Sequence, residues 1–128
     1  MEKVQGMGGV FFRARDAKAL SEWYRDHLGV ALVPDEYDVP PWQQQAGPTA
    51  FAPFEQDTKY FGDVGKQWMT NFRVGDLDAM MRQLKASGIA VELDPESYPN
   101  GRFARLPDPE GNPIESWQPA GRDGTRQS

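Results

Sequence analysis

One run of structural signals occurs twice in this chain, about sixty positions apart, and that repetition limits the folds open to it. In the first run, Val10-Phe-Phe-Arg-Ala14 reads as a strand and Asp16 as a helix N-cap. Leu20, Trp23, Tyr24 and Leu28 follow at i, i+3, i+4 and i+8, the stripe of an amphipathic helix, and Gly29 suits its end. Val30-Ala-Leu-Val33 and Thr49-Ala-Phe-Ala-Pro-Phe54 read as further strands, separated by a loop that holds Pro40, Pro41 and Trp42. Beyond a polar linker from Glu55 to Lys66 the order restarts. Trp68 to Val74 predicts a strand, Asp76 an N-cap, Leu77, Met80, Met81 and Leu84 a helix, Gly88 its stop, and Ile89 to Leu93 a strand. Phe12, Arg13 and Asp16 match Phe72, Arg73 and Asp76. Each half therefore reads β-α-β-β-β. In a repeat of this size each sheet buries one face on its own helix and leaves the other for its neighbour.

The second half ends in a hairpin. Phe103 to Leu106 is a short apolar run, and Asp108-Pro-Glu-Gly-Asn112 is dense turn chemistry. Pro109 pre-sets φ, Gly111 supplies a positive φ, and Asp108 and Asn112 can bond nearby backbone. In Ile114-Glu-Ser-Trp117 the alternation places Glu115 and Trp117 on one face, Ile114 and Ser116 on the other.

Composition narrows the function classes. The net charge of −5 and the absence of a long basic run argue against nucleic acid as a partner. The chain has no cysteine, which removes disulfides, thiolate metal sites and Cys nucleophiles and fits a cytoplasmic location. No stretch approaches the roughly 20 apolar residues of a membrane helix, and the first residues lack the apolar region of a signal peptide. With His27 as the sole histidine, placed near a helix end, a Ser-His-Asp triad is not expected.

Asp108-Pro-Glu-Gly-Asn-Pro-Ile-Glu115 resembles a signature of the vicinal oxygen chelate superfamily, the glyoxalase, bleomycin-resistance and extradiol-dioxygenase group. The strand-Asp-Leu-Asp-helix-Gly order of the second half and Trp23-Tyr-Arg-Asp-His-Leu-Gly29 in the first are also similar to that family, so the resemblance covers about residues 8–118. It implies an α+β fold in which two βαβββ modules, about 8–55 and 67–118, form one cup-shaped mixed sheet with helices on the convex face. Residues 119–128 are expected to be a flexible tail. Family members of this size commonly form homodimers, so a homodimer is expected.

Strand alternation within that fold turns Phe12, Phe72, Val74 and Ile114 toward the helices. It turns Gly9, Phe11 and Arg13, Met69, Asn71 and Arg73, and Glu115 and Trp117 into the cup. In the family's metal-dependent members the ligands come one from each of four strands, and Glu115 matches the last. The other three slots fall on Gly9, Met69 and a position near Phe51, none of which offers a donor for a hard or borderline cation. No metal and no other cofactor is therefore expected.

The resulting expectation is metal-independent binding of a small organic molecule, as in the family's bleomycin-resistance proteins. Phe11, Trp42, Phe51 and Trp117 would supply an apolar wall, and Arg13, Asn71, Arg73 and Arg105 polar handles, with Met69 beside them. Arg13 and Arg73 form either an anion clamp or rim ion pairs. Arg102 and Arg105 compete for the inward position on the hairpin. Glu115 is a structural acid, a ligand handle or a general base. Two other readings stay open: a glyoxalase-like lyase or isomerase using Glu115 as base or metal ligand, and a protein-interaction module whose cup is filled.

Overall fold

A computed structural model describes residues 1–63 and 65–120. The architecture is α+β, with two helices on one face of a four-stranded mixed sheet. In chain order the elements are α1 (Ala17–Leu28), β1 (Thr70–Arg73), α2 (Leu77–Ala86), β2 (Glu92–Leu93), β3 (Gly101–Pro107) and β4 (Pro113–Pro119). The sheet order is β1-β4-β3-β2, with β1 parallel to β4 and the other pairs antiparallel.

Both helices form where their caps and stripes predict. The Asp16 and Asp76 carboxylates accept from Ala19 N and Ala79 N, each at 3.0 Å, satisfying backbone donors that have no partner within the helix. Gly29 ends α1 at φ 74°, a left-handed conformation that costs glycine little. Leu77, Met81 and Leu84 bury one stripe of α2. Leu77 and Met81 pack with Ala104, and Leu84 packs with Leu106 and Ile114. Trp23, Tyr24 and Leu28 of α1 join the second cluster together with Phe72, so both helices cover the same side of the sheet. Phe12 turns to that side as predicted, with its ring 5.0 Å from Trp68 and 6.4 Å from Tyr24.

The two halves differ more than their sequences suggest. Among the described residues the first half contains one helix and no strand: Val10–Ala14, Val30–Val33 and Thr49–Phe54 join no ladder. Alternation and β-branched content favour extended backbone, but a strand is stable only when another strand takes its N–H and C=O groups. In the single chain these segments find no such partner. The second half keeps its predicted strands: β1 and β2 are shorter than expected, and β3 and β4 are longer, β4 running on through Pro119. Residues 121–128 of the expected tail lie outside the described residues. Among the described residues no helix is long and apolar enough to cross a membrane.

Candidate functional site

The turn between β3 and β4 sets the geometry of everything beside it. Asp108 is buried, and its carboxylate accepts from Glu110 N at 2.8 Å, Asn112 N at 3.0 Å and Asn112 Nδ2 at 2.8 Å. Gly111 takes the positive φ, 82°, that closes the loop. With five residues in the turn, Pro107 pairs with Pro113 and Arg105 falls opposite Glu115. The same turn fastens the first half to the second. Tyr24 donates to Asp108 Oδ2 at 2.7 Å, and the Glu110 carboxylate accepts from Arg15 N and Asp16 N at 2.7 and 3.0 Å. Burial, reinforced by the hydrogen bond to Asp108, pushes the Tyr24 phenol well above its ordinary pKa.

On the sheet face away from the helices, the register aligns two rows. Asn71, Glu115, Arg105 and Glu92 stand opposite one another across all four strands. One step along, Arg73, Trp117 and Phe103 form the second row. Glu115 is 7% exposed. It accepts from Asn71 Nδ2 at 2.8 Å and from the Tyr60 hydroxyl, and Arg105 Nη1 lies 3.6 Å from its Oε2. Arg105 also donates to the Tyr60 hydroxyl at 2.8 Å, places its guanidinium 5.1 Å from the Tyr60 ring centroid and approaches Asp94 at 3.7 Å. The Tyr60 phenol is pushed up to about 12, first by burial and then by its bond to Glu115. In the second row Phe103 and Trp117 are parallel, with centroids 6.2 Å apart and an interplanar angle of 2°. The Trp117 indole donates to Asn100 O at 2.8 Å. Gly101 permits this approach: a Cβ there would sit 2.2 Å from Gln118 O and 2.7 Å from the indole nitrogen.

The predicted residues divide accordingly. Glu115, Asn71, Arg105, Arg73 and Trp117 share the face, although Trp117 is only 6% exposed and acts as its floor. Arg105 holds the inward position, whereas Arg102 pairs with Asp78 of α2 at 3.0 Å on the helix side. Arg73 and Arg13 do not converge. Arg73 donates to Gln45 O at 2.8 Å at the end of the sheet far from the turn. Arg13 is exposed near the turn, in a shallow cleft with Arg15, Lys66 and Asn112. Phe11 and Phe51 are 94% and 85% exposed, and Trp42 is exposed in its loop, so none of the three lines this face in the single chain. Met69 is half-buried just ahead of β1.

Tyr60, Asp94 and Phe103 belong to the site and were not anticipated. Tyr60 and Phe61 inside an otherwise polar linker are the signal for the first. Phe103 and the inward Arg105 follow from counting back through the five-residue turn. A divalent ion does not fit the donors around Glu115. Its neighbours are an amide, a phenol and a guanidinium cation, and among the described residues no three His, Asp or Glu side chains converge.

Residues 9–115 match the family model described as a glyoxalase-like domain. The chain belongs to that family. This agrees with the vicinal oxygen chelate resemblance of its hairpin. Solved structures with TM-scores above 0.5 share the fold. TnmS3, an antibiotic binding protein from Streptomyces sp. CB03234, is 22% identical, with 90% of this chain covering 100% of that one at a TM-score of 0.54. A protein from the mobile metagenome of V. Pseudocholerae is 15% identical, with 92% covering 97% at 0.60. A glyoxalase/bleomycin resistance protein from Streptomyces sp. CB03234 is 39% identical over a shorter stretch, 38% of this chain and 42% of that one, at 0.35. No curated protein matches the sequence.

Proposed function

We propose that this chain binds a small planar organic molecule, without a metal, in a cup whose floor is the sheet face away from the helices. The observation that carries this reading is the pairing of an Asn71-Glu115-Arg105 row with the parallel Phe103 and Trp117 rings. A flat apolar surface beside a few fixed polar groups is what a small-molecule site requires, and rings at this spacing stack on other rings. TnmS3, which shares the fold, is an antibiotic binding protein, and binding as the activity itself fits a face whose one buried acid is already held by two hydrogen-bond donors and a guanidinium 3.6 Å away. Glu115 and Arg105 are the polar handles, Asn71 orients Glu115, and Phe103 is the stacking surface. The two modules, about 8–55 and 67–118, form one domain. Phe11, Trp42 and Phe51 become walls of the cup when a second copy of the chain packs on the first half.

Isothermal titration calorimetry with 1-naphthol and 1-methoxynaphthalene tests the reading. Both probes are expected to bind, and Phe103→Ala is expected to weaken both by about 1 kcal/mol, the scale of an aromatic pair. Absence of heat with both probes, in the wild-type chain and in variants of the neighbouring Tyr60 alike, or binding indifferent to Phe103, would remove this face as the site.

A further inference from the structure

Tyr60 is a phenol already seated among the polar groups of the candidate face. Its hydroxyl donates to Glu115 Oε2 and accepts from Arg105 Nη1 at 2.8 Å, while its ring lies under the guanidinium at 5.1 Å. Glu115 and Arg105 are fixed partners, standing opposite each other on paired strands. Tyr60 is held differently. It belongs to the Glu55–Lys66 linker, which joins no ladder, and it is 40% exposed. Among the described residues, the hydrogen bonds that tie this linker to the rest of the fold are those of the Tyr60 hydroxyl and one long contact from Lys66 Nζ to Glu110 O at 3.5 Å. The linker's other bonds are local, such as Thr58 N to Glu55 O and Gly62 N to Lys59 O.

The chemistry of that seat selects its occupant. A carboxylate or phosphate would meet Arg105 but face Glu115 and Asp94 as like charges. An ammonium would satisfy Glu115 but face Arg105. An ether or ketone accepts from Arg105 and has no proton for Glu115. A neutral hydroxyl does both at once, as a donor to the carboxylate and an acceptor from the guanidinium. When it is carried on an aromatic ring, the ring also receives the cation.

We propose that Tyr60 is a built-in stand-in for the ligand: the face takes an aromatic hydroxyl compound, and Tyr60 leaves its seat between Glu115 and Arg105 to admit it. This rests on the reading of the face as a small-molecule site. It adds a ligand class and a competing internal contact that sets the apparent affinity, because the binding-competent population is the fraction with Tyr60 displaced.

The test compares 1-naphthol with 1-methoxynaphthalene by calorimetry on the wild-type chain, Tyr60→Ala and Tyr60→Phe. The two variants differ in whether the ring stays, so one reports even if the other folds poorly. A hydrogen bond to a charged group accounts for roughly a tenfold effect or more. Removing the hydroxyl is therefore expected to tighten 1-naphthol by about tenfold in either variant, with no comparable gain for the ether. Unchanged or weaker naphthol binding would overturn the stand-in, as would an equal gain for the ether, which would mean that only room was created. In both cases the face would still bind planar molecules and the broader reading would stand. Absence of binding by both probes to all three proteins would overturn both.

Discussion

Asp108 accepts hydrogen bonds from three parts of the molecule: its own turn through Glu110 N, the far side of that turn through Asn112, and α1 through Tyr24. The turn role was legible, since Asp followed by Pro and Gly is local chemistry. The Tyr24 partner was not, because 84 residues separate the two and Tyr24 reads equally well as one more apolar position on the α1 stripe. Tyr24→Phe leaves a buried carboxylate oxygen short of a donor, so it is expected to destabilise the chain by about 1–3 kcal/mol in urea unfolding. Stability should also depend on pH in a definite direction. The folded state raises the Tyr24 phenol above its ordinary value of 10.0. Its contribution is therefore complete below about pH 10 and lost as pH rises further. Above that pH the wild type should lose stability more steeply than Tyr24→Phe. Parallel pH profiles would mean that neither burial nor Asp108 raises the Tyr24 phenol on folding.

At the scale of elements, local signals survived and non-local ones did not. Both helices carry their instructions within a dozen residues: an Asp cap, an apolar stripe and a glycine or its neighbour at the end. The β3–β4 register is also a local matter, because the length of the turn decides it, but sequence alone left Arg102 and Arg105 competing, and it is the observed pairing that turns Arg105 inward. Strands are different, because their hydrogen bonds lie on another segment. The first-half segments with strand-like alternation remain without ladders among the described residues, so the parity that placed Phe11 and Arg13 beside Asn71 and Arg73 has no sheet to act through. The N-terminal end of α2 tests the local account. Asp76→Ala removes the acceptor for Ala79 N and should cost about 1 kcal/mol. Gln118→Ala removes the side-chain acceptor for Leu77 N at 2.8 Å and should cost a similar amount. Both side-chain oxygens accept at the same helix end, so the double variant is expected to lose more stability than either single variant. Hydrogen exchange in the first turn of α2 is the direct readout.

On the scale of the whole molecule, the distribution of apolar surface is uneven. The second half buries its large side chains against α2, while Val10, Phe11, Val33, Phe51 and Phe54 stand exposed in the first half. Contiguous stretches with this much apolar exposure and unpaired backbone are a template for another chain. A second copy would offer the same segments in matching number, and a closed two-fold assembly is the outcome expected here. Light scattering on the eluting protein should accordingly give twice the chain mass of 14.4 kDa, with dissociation on dilution. Phe11→Asp places a charge where the partner would pack, and should shift the equilibrium toward the single chain. The same assembly should protect the amides of Val10–Ala14 and Thr49–Phe54 from exchange, because a strand becomes protected only when it gains a ladder. If the protein ran as a single chain at every concentration with those amides unprotected, Phe11, Trp42 and Phe51 would have no route to the cup. The site would then reduce to the two rows on the second-half sheet.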